Sequence, residues 1–321
     1  MAKRKKKQHY SGIGGQAVLE GVMMKNKDDY AVAVRKADGE IDVDVEAYHP
    51  FMKNTKLRKV PFIRGIFNFI DSLVLGMKCI NHSSKFFVDE DMEPTKLDKA
   101  LDKATNGKSD NVLMGFTTVI SIIIAVGLFI LLPYFVSEKL AQYIKNPSLV
   151  AIIEGGIRIV IFLAYIIGIS AMKDIRRLYQ YHGAEHKCIN CVERGHELTV
   201  DNVMHSSRIH KRCGTSFLFL VIIISVILFF FIRVETLWLK VLLRLLLVPV
   251  IAGISYEIIR LAGRSDNIFV TIISAPGMWI QHATTKEPDE KMVEVAIKSV
   301  EAVFDWRAFQ EEEFGFVSEE N

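Results

Sequence analysis

Several things are missing from this chain, and each absence narrows the reading. An excess of one charge is missing: 40 Lys and Arg face 37 Asp and Glu, a formal net charge of +3 over 321 residues. Nothing in that balance points to nucleic acid as a partner. A secretory signal is not expected, because Lys3, Arg4, Lys5, Lys6 and Lys7 are followed by polar residues and not by an apolar run. The glycine-rich stretch 11–22 lacks a following Lys-Ser/Thr, so its glycines are read as a turn or close backbone packing, with no phosphate to cradle. No internal repeat is visible, which weighs against a transporter. Cysteine is scarce, with four residues in all, and disulfides are not expected because three of them fall in a loop read as lying on the reducing, cytosolic side.

Long apolar runs, by contrast, are present. Residues 112–136 hold 25 positions without a charge and Thr215–Ile232 hold 18. A hydrocarbon core of about 30 Å needs roughly 20 helical residues. The fold class expected is therefore a mainly α integral membrane protein. It has about four transmembrane helices (112–136, 148–172, 214–233, 237–261), interfacial helices and a small N-terminal cytosolic β-element.

The chain divides accordingly. Residues 1–60 form the glycine-rich and hairpin region, where Tyr30–Arg35 and Ile41–Glu46 alternate around Asp38-Gly39. Residues 61–88 form an amphipathic interfacial helix, with Ile63, Ile66, Phe67, Ile70, Leu73, Val74 and Met77 at helical spacing. Residues 89–111 are a charged linker, 112–172 the first two spans, 173–213 a cytosolic loop and 214–262 the last two spans. Over 263–321, Ile268–Gln281 is too short to cross and holds Pro276-Gly277, so it is expected to be re-entrant or interfacial. A soluble amphipathic helix and an acidic tail, Glu311–Glu313, follow it. Eight Lys/Arg lie in 173–213 against two in 137–147. The positive-inside rule then puts that loop, the β-element and both termini in the cytosol.

The loop concentrates the chemistry. Tyr181–Cys213 holds five of nine histidines and three of four cysteines. His182 and His186 stand at i and i+4, on one side of a helix, with Glu185 beside them. H-x-x-E-H is the inverted zinc-peptidase arrangement, in which the glutamate acts as general base. A rival set overlaps it: Cys188-x2-Cys191 and His210-x2-Cys213, 18 residues apart, have the spacing of a closed structural zinc site. A second constellation lies in the spans, where Glu154 and Arg158 are four apart and Arg244 is available. Ionisable groups at that depth face a bundle interior or a polar groove. Glu257, near the cytosolic end of the fourth span, is a candidate carboxylate ligand for the loop.

GGQAVLEGVMM at 14–24, PFIRG at 61–65, YHGAEHK at 181–187, HKRCGTSF at 210–217, AGISYE at 252–257 and PGMWIQ…TTKEPD at 276–289 resemble the YqhQ-like family of bacterial polytopic membrane proteins. The resemblance covers Gly14 to about Ile297. It implies a metal-dependent enzyme without an assigned reaction, and it supplies His182, Glu185, His186, His210 and Cys213. Cys188 and His196 stand outside the motif, so the resemblance favours a His182/His186/His210/Cys213 ligand set.

Two functions are thus expected to compete. One is a hydrolase at the membrane interface using zinc or another divalent transition metal, with membrane lipid as neighbour and Glu185 as base. The other is a scaffold or accessory subunit of a membrane complex, in which zinc is structural.

Overall fold

The computed structural model describes residues 8–50, 56–87, 109–232, 234, 236–263 and 267–315. The basic tip 3–7 and nearly all of the expected linker 89–111 lie outside them.

Four strands open the chain: β1 (Gly14–Val18), β2 (Gly21–Asn26), β3 (Asp29–Arg35) and β4 (Ile41–Ala47). They form an antiparallel meander in chain order. The hairpin expected at Asp38-Gly39 joins β3 to β4. The glycine-rich stretch turns out to be β1 and the start of β2. The helices follow. α1 is Ile63–Ser84. α2 runs as Ser109–Val126, a π turn at Gly127–Leu131, and Leu132–Ala141. α3 is Pro147–Ser170, α4 Lys173–Glu193 and α5 Val200–Met204. α6 is Gly214–Phe230, α7 Leu237–Ala262 and α8 Ile268–Thr284. α9 is Glu290–Val303 and α10 Trp306–Phe314.

Among the described residues, three helices are long and apolar enough to cross a membrane: Gly115–Ala141, Pro147–Ser170 and Leu237–Ala262. α6, at 17 residues, falls short of the length expected of it. α8 runs through Pro276 and Gly277 as one continuous helix. A Cβ on Gly277 would lie 2.8 Å from the Ser216 side chain. The glycine therefore serves close packing against α6 and does not end the helix.

The chain falls into two compact units: 1–87, 166–224 and 248–321 make the first, and 88–165 with 225–247 the second. In the first, the sheet is covered on both faces. Tyr30, Val32 and Val34 of β3 pack with Leu75 and Cys79 of α1. Val22, Met24 and Ala33 face the other way, onto Ala184 and Cys188 of α4 and Val293, Ala296 and Val300 of α9. β3, expected to alternate, is instead apolar and buried from Tyr30 to Val34, as is β2 from Gly21 to Met24, because both faces of the sheet are covered. α9 is the soluble amphipathic helix expected, and its apolar stripe closes this core. α1 inverts the usual arrangement. Its buried positions are mainly small ones (Gly65, Gly76, Cys79, Ser83), while Ile70, Leu73, Val74 and Met77 remain exposed.

In the second unit Glu154 and Arg158 of α3 pair at 2.9 Å, and Arg244 of α7 reaches Glu154 at 2.7 Å, all three buried. Arg158 Nε also donates to the carbonyl of Phe129 at 3.0 Å. Phe129 lies inside the π turn of α2, where the wider hydrogen-bond step loosens the carbonyl ladder.

Candidate metal centre

α4 brings His182, Glu185 and His186 to one face, and one residue shows why the helix can pass there. A Cβ on Gly183 would lie 2.0 Å from the backbone oxygen of Lys286, so only glycine admits the segment after α8 this close. The end of α8 and the loop before α6, in turn, orient the histidines. His182 Nδ1 lies 2.9 Å from the Thr284 carbonyl, and His186 Nδ1 lies 2.7 Å from the Arg208 carbonyl. A carbonyl only accepts, so each Nδ1 carries a hydrogen and each Nε2 is the atom left to face a centre. Cys213, directly before α6, puts Sγ 3.3 Å from His182 Nε2 and 3.0 Å from Thr215 Oγ1.

His182, His186 and Cys213 each offer a donor atom within 4.8 Å of the others, the one such group among the described residues. Two imidazoles and a thiol suit zinc-class ions. Electrostatics prepare the donors. Burial opposes ionisation of Cys213, but His182 and His186 overcome it and hold the thiol well below its ordinary range. Burial likewise opposes charge on His182, and the neighbouring Cys213 still raises it to about 9. A bound cation would replace those protons. Glu185, only 4% exposed, has its carboxyl pushed up by burial, against the pull of the histidines and the Gly15 N–H. Its Oε2 is buried with no hydrogen-bond partner. His182, Glu185 and Cys213 line a cavity of about 580 Å³ together with Gly15, Gln16 and Thr215.

The remaining candidates lie elsewhere. His210 stays beside the cluster, its ring 5.7 Å from that of His186, but its Nε2 faces Glu193 Oε2 at 3.5 Å. Gln281 clamps its backbone from both sides, at 2.8 and 2.7 Å, and this sets the direction of the ring. Cys188 and Cys191 belong to the apolar core, with Cys191 Sγ donating to the Glu197 carbonyl at 3.3 Å. The four positions of the closed-site spacing therefore do not converge. Glu257 pairs with Arg64 and accepts from the Phe62 N–H at the start of α1, so it ties α7 to α1 and stands outside the cluster. The two supporting carbonyls left no trace in the sequence reading, because a backbone oxygen has no residue signature.

Glu193, at the end of α4, is a buried hub. It accepts from the Ser11 N–H and hydroxyl at 2.9 Å each, from Gln8 at 3.0 Å, and from Arg212. Burial would raise its carboxyl, but His210, Arg212 and Ser11 prevail and bring it to about 2. A depressed carboxylate contributes stability above its unfolded value of 4.5, and that contribution is lost as pH falls towards 2. The shift is worth roughly 3 kcal/mol. Glu193→Gln should therefore be less stable than wild type at pH 7, and the difference should shrink between about pH 5 and 2. Urea denaturation across that range checks it; a constant difference would refute the assignment.

A family model described as "Protein of unknown function (DUF1385)" matches residues 60–306. The chain is 36% identical over 303 residues to the "Uncharacterized protein YqhQ" of Bacillus subtilis (strain 168), covering 93% of this chain and 94% of that one. No solved structure matches it. With the family model spanning the helices and the cluster from residue 60 to 306, and the relative matching nearly the whole chain, the chain belongs to the YqhQ-like family, DUF1385.

Proposed function

We propose that this protein is a metal-dependent hydrolase working at the cytosolic face of a bacterial cell membrane. One observation carries the reading: the cluster offers three donors and not four, beside a buried carboxylate and on a cavity. Three protein ligands with an open position are the mark of catalytic zinc, whereas structural zinc is closed by four. Zinc, or another divalent transition metal, would supply Lewis acidity there. His182, His186 and Cys213 would hold it. Glu185, its carboxyl raised by burial, takes a proton from attacking water and returns it to the leaving group. In the proposed topology α6 is a fourth span and both termini are cytosolic, as the loop charges favour.

The test is metal content of the intact purified protein. Wild type should carry about one zinc per chain. His182→Ala, His186→Ala and Cys213→Ser should lose it, while Glu185→Gln and Cys188→Ala keep it. In cells dependent on the protein, Glu185→Gln should fail to replace wild type. Full replacement by Glu185→Gln would sink the catalytic role and leave a structural metal in a scaffold.

A further inference from the structure

We propose that the cavity beside the cluster takes the single hydrocarbon chain of a membrane amphiphile, so that the substrate enters from the lipid and not from water. This deepens, and rests on, the hydrolase reading. The cavity's about 580 Å³ lies within the usual range of small-molecule sites. Its lining has two chemistries. The polar part includes His182, Glu185, Cys213, Thr215 and Arg212. The apolar walls include Phe69 and Leu73 of α1, Phe217 and Leu218 of α6, and Ile259 of α7.

Two polar side chains among those walls, Asn68 and Ser72, are already satisfied. Asn68 donates to the Tyr256 hydroxyl at 2.7 Å and accepts from Arg58 at 3.3 Å. The Ser72 hydroxyl donates to the Asn68 carbonyl of its own helix at 2.8 Å. A peptide backbone bound along these walls would leave its N–H and C=O groups short of partners, whereas a hydrocarbon asks for none. In the polar part, Arg212 Nε is buried without a partner and can donate to a head-group oxygen.

The rim points to the source. Leu73, Leu218 and Ile80 line the cavity yet are 52%, 44% and 38% exposed. Val74, Met77 and Ile70 continue the exposed apolar strip along α1. An apolar rim of this extent is unfavourable against water and natural against acyl chains. The inverted packing of α1, with small residues inward and large ones outward, produces this rim.

Full-length protein in lipid nanodiscs is photolabelled with a lysophosphatidic acid carrying a diazirine at the end of its acyl chain. Crosslinks should map to residues 69–80 and 214–218. Leu73→Trp and Leu218→Trp fill the mouth from exposed positions that do not threaten the fold. Each should cut labelling about tenfold, the burial lost from roughly two methylene groups, while metal content stays at the wild-type value. Leu73→Ala should label at least as well as wild type. Labelling that maps elsewhere, or that ignores both tryptophans, would overturn the proposal. Chelator-treated and Glu185→Gln protein should label like wild type. A protein that labels as expected but holds no metal would therefore refute the hydrolase reading alone, and one that holds metal without labelling would refute the chain-binding cavity alone.

Discussion

Gly183→Ala is expected to lose the metal and to lower stability by about 3 kcal/mol, the upper end of overpacking costs. In an exposed helix the same change would stabilise by roughly 1 kcal/mol, so the sign itself is the test. The new methyl would stand 2.0 Å from the Lys286 carbonyl, a backbone atom that no rotamer change can move aside. Either α4 or the 284–288 segment must retreat. The Thr284 carbonyl that orients His182 lies two residues away on that same segment. Metal analysis and thermal unfolding should both register the change, with the midpoint falling by about 10 °C. Gly156→Ala is the control, since nothing lies within 4 Å of its would-be Cβ. Unchanged metal in Gly183→Ala would show that the carbonyl contact does not position the site.

Glu154→Ala is expected to be the most destabilising single change in the second unit. It would leave Arg158 and Arg244 buried without their counter-charge. Breaking a buried pair on one side costs about 3–5 kcal/mol. Removing all three charges (Glu154→Leu with Arg158→Met and Arg244→Met) should recover most of that loss, because well-packed apolar groups commonly match a buried ion pair. Denaturation in detergent, alongside the protein level in membranes, reads both variants. If Glu154→Ala matches wild type, the triad does not hold these helices together.

Much of this architecture can be read in the residues themselves, wherever the determinant is local. His182 and His186 share a helix face because 3.6 residues make a turn, and Glu154 meets Arg158 for the same reason. Asp38-Gly39 declares a hairpin through its turn geometry. What stays hidden is set by distant neighbours. β1 and β2 do not alternate, because close packing claims their glycines and β2 is buried on both faces. His210 carries the same ligand chemistry as His186, yet Gln281, 71 residues away, aims it at Glu193. Nothing local in Pro276-Gly277 shows that Gly277 is spent on contact with Ser216. The amphipathicity of α1 is plain in the sequence; which side faces the protein is not, since small residues score weakly on any hydrophobic pattern.

The sheet and the centre draw on both ends of the chain, and this bears on biosynthesis. Gly15 leaves the ribosome among the first residues, while Thr284 and α9 come near the last. A nascent chain that stops after Cys213 already carries all three donors. It still lacks the carbonyl that orients His182 and the helix that covers β2 and β3. The three donors of the proposed centre therefore reach their final arrangement only after α7 and α8 are made, so metal binding, where it occurs, belongs to the late stage of folding.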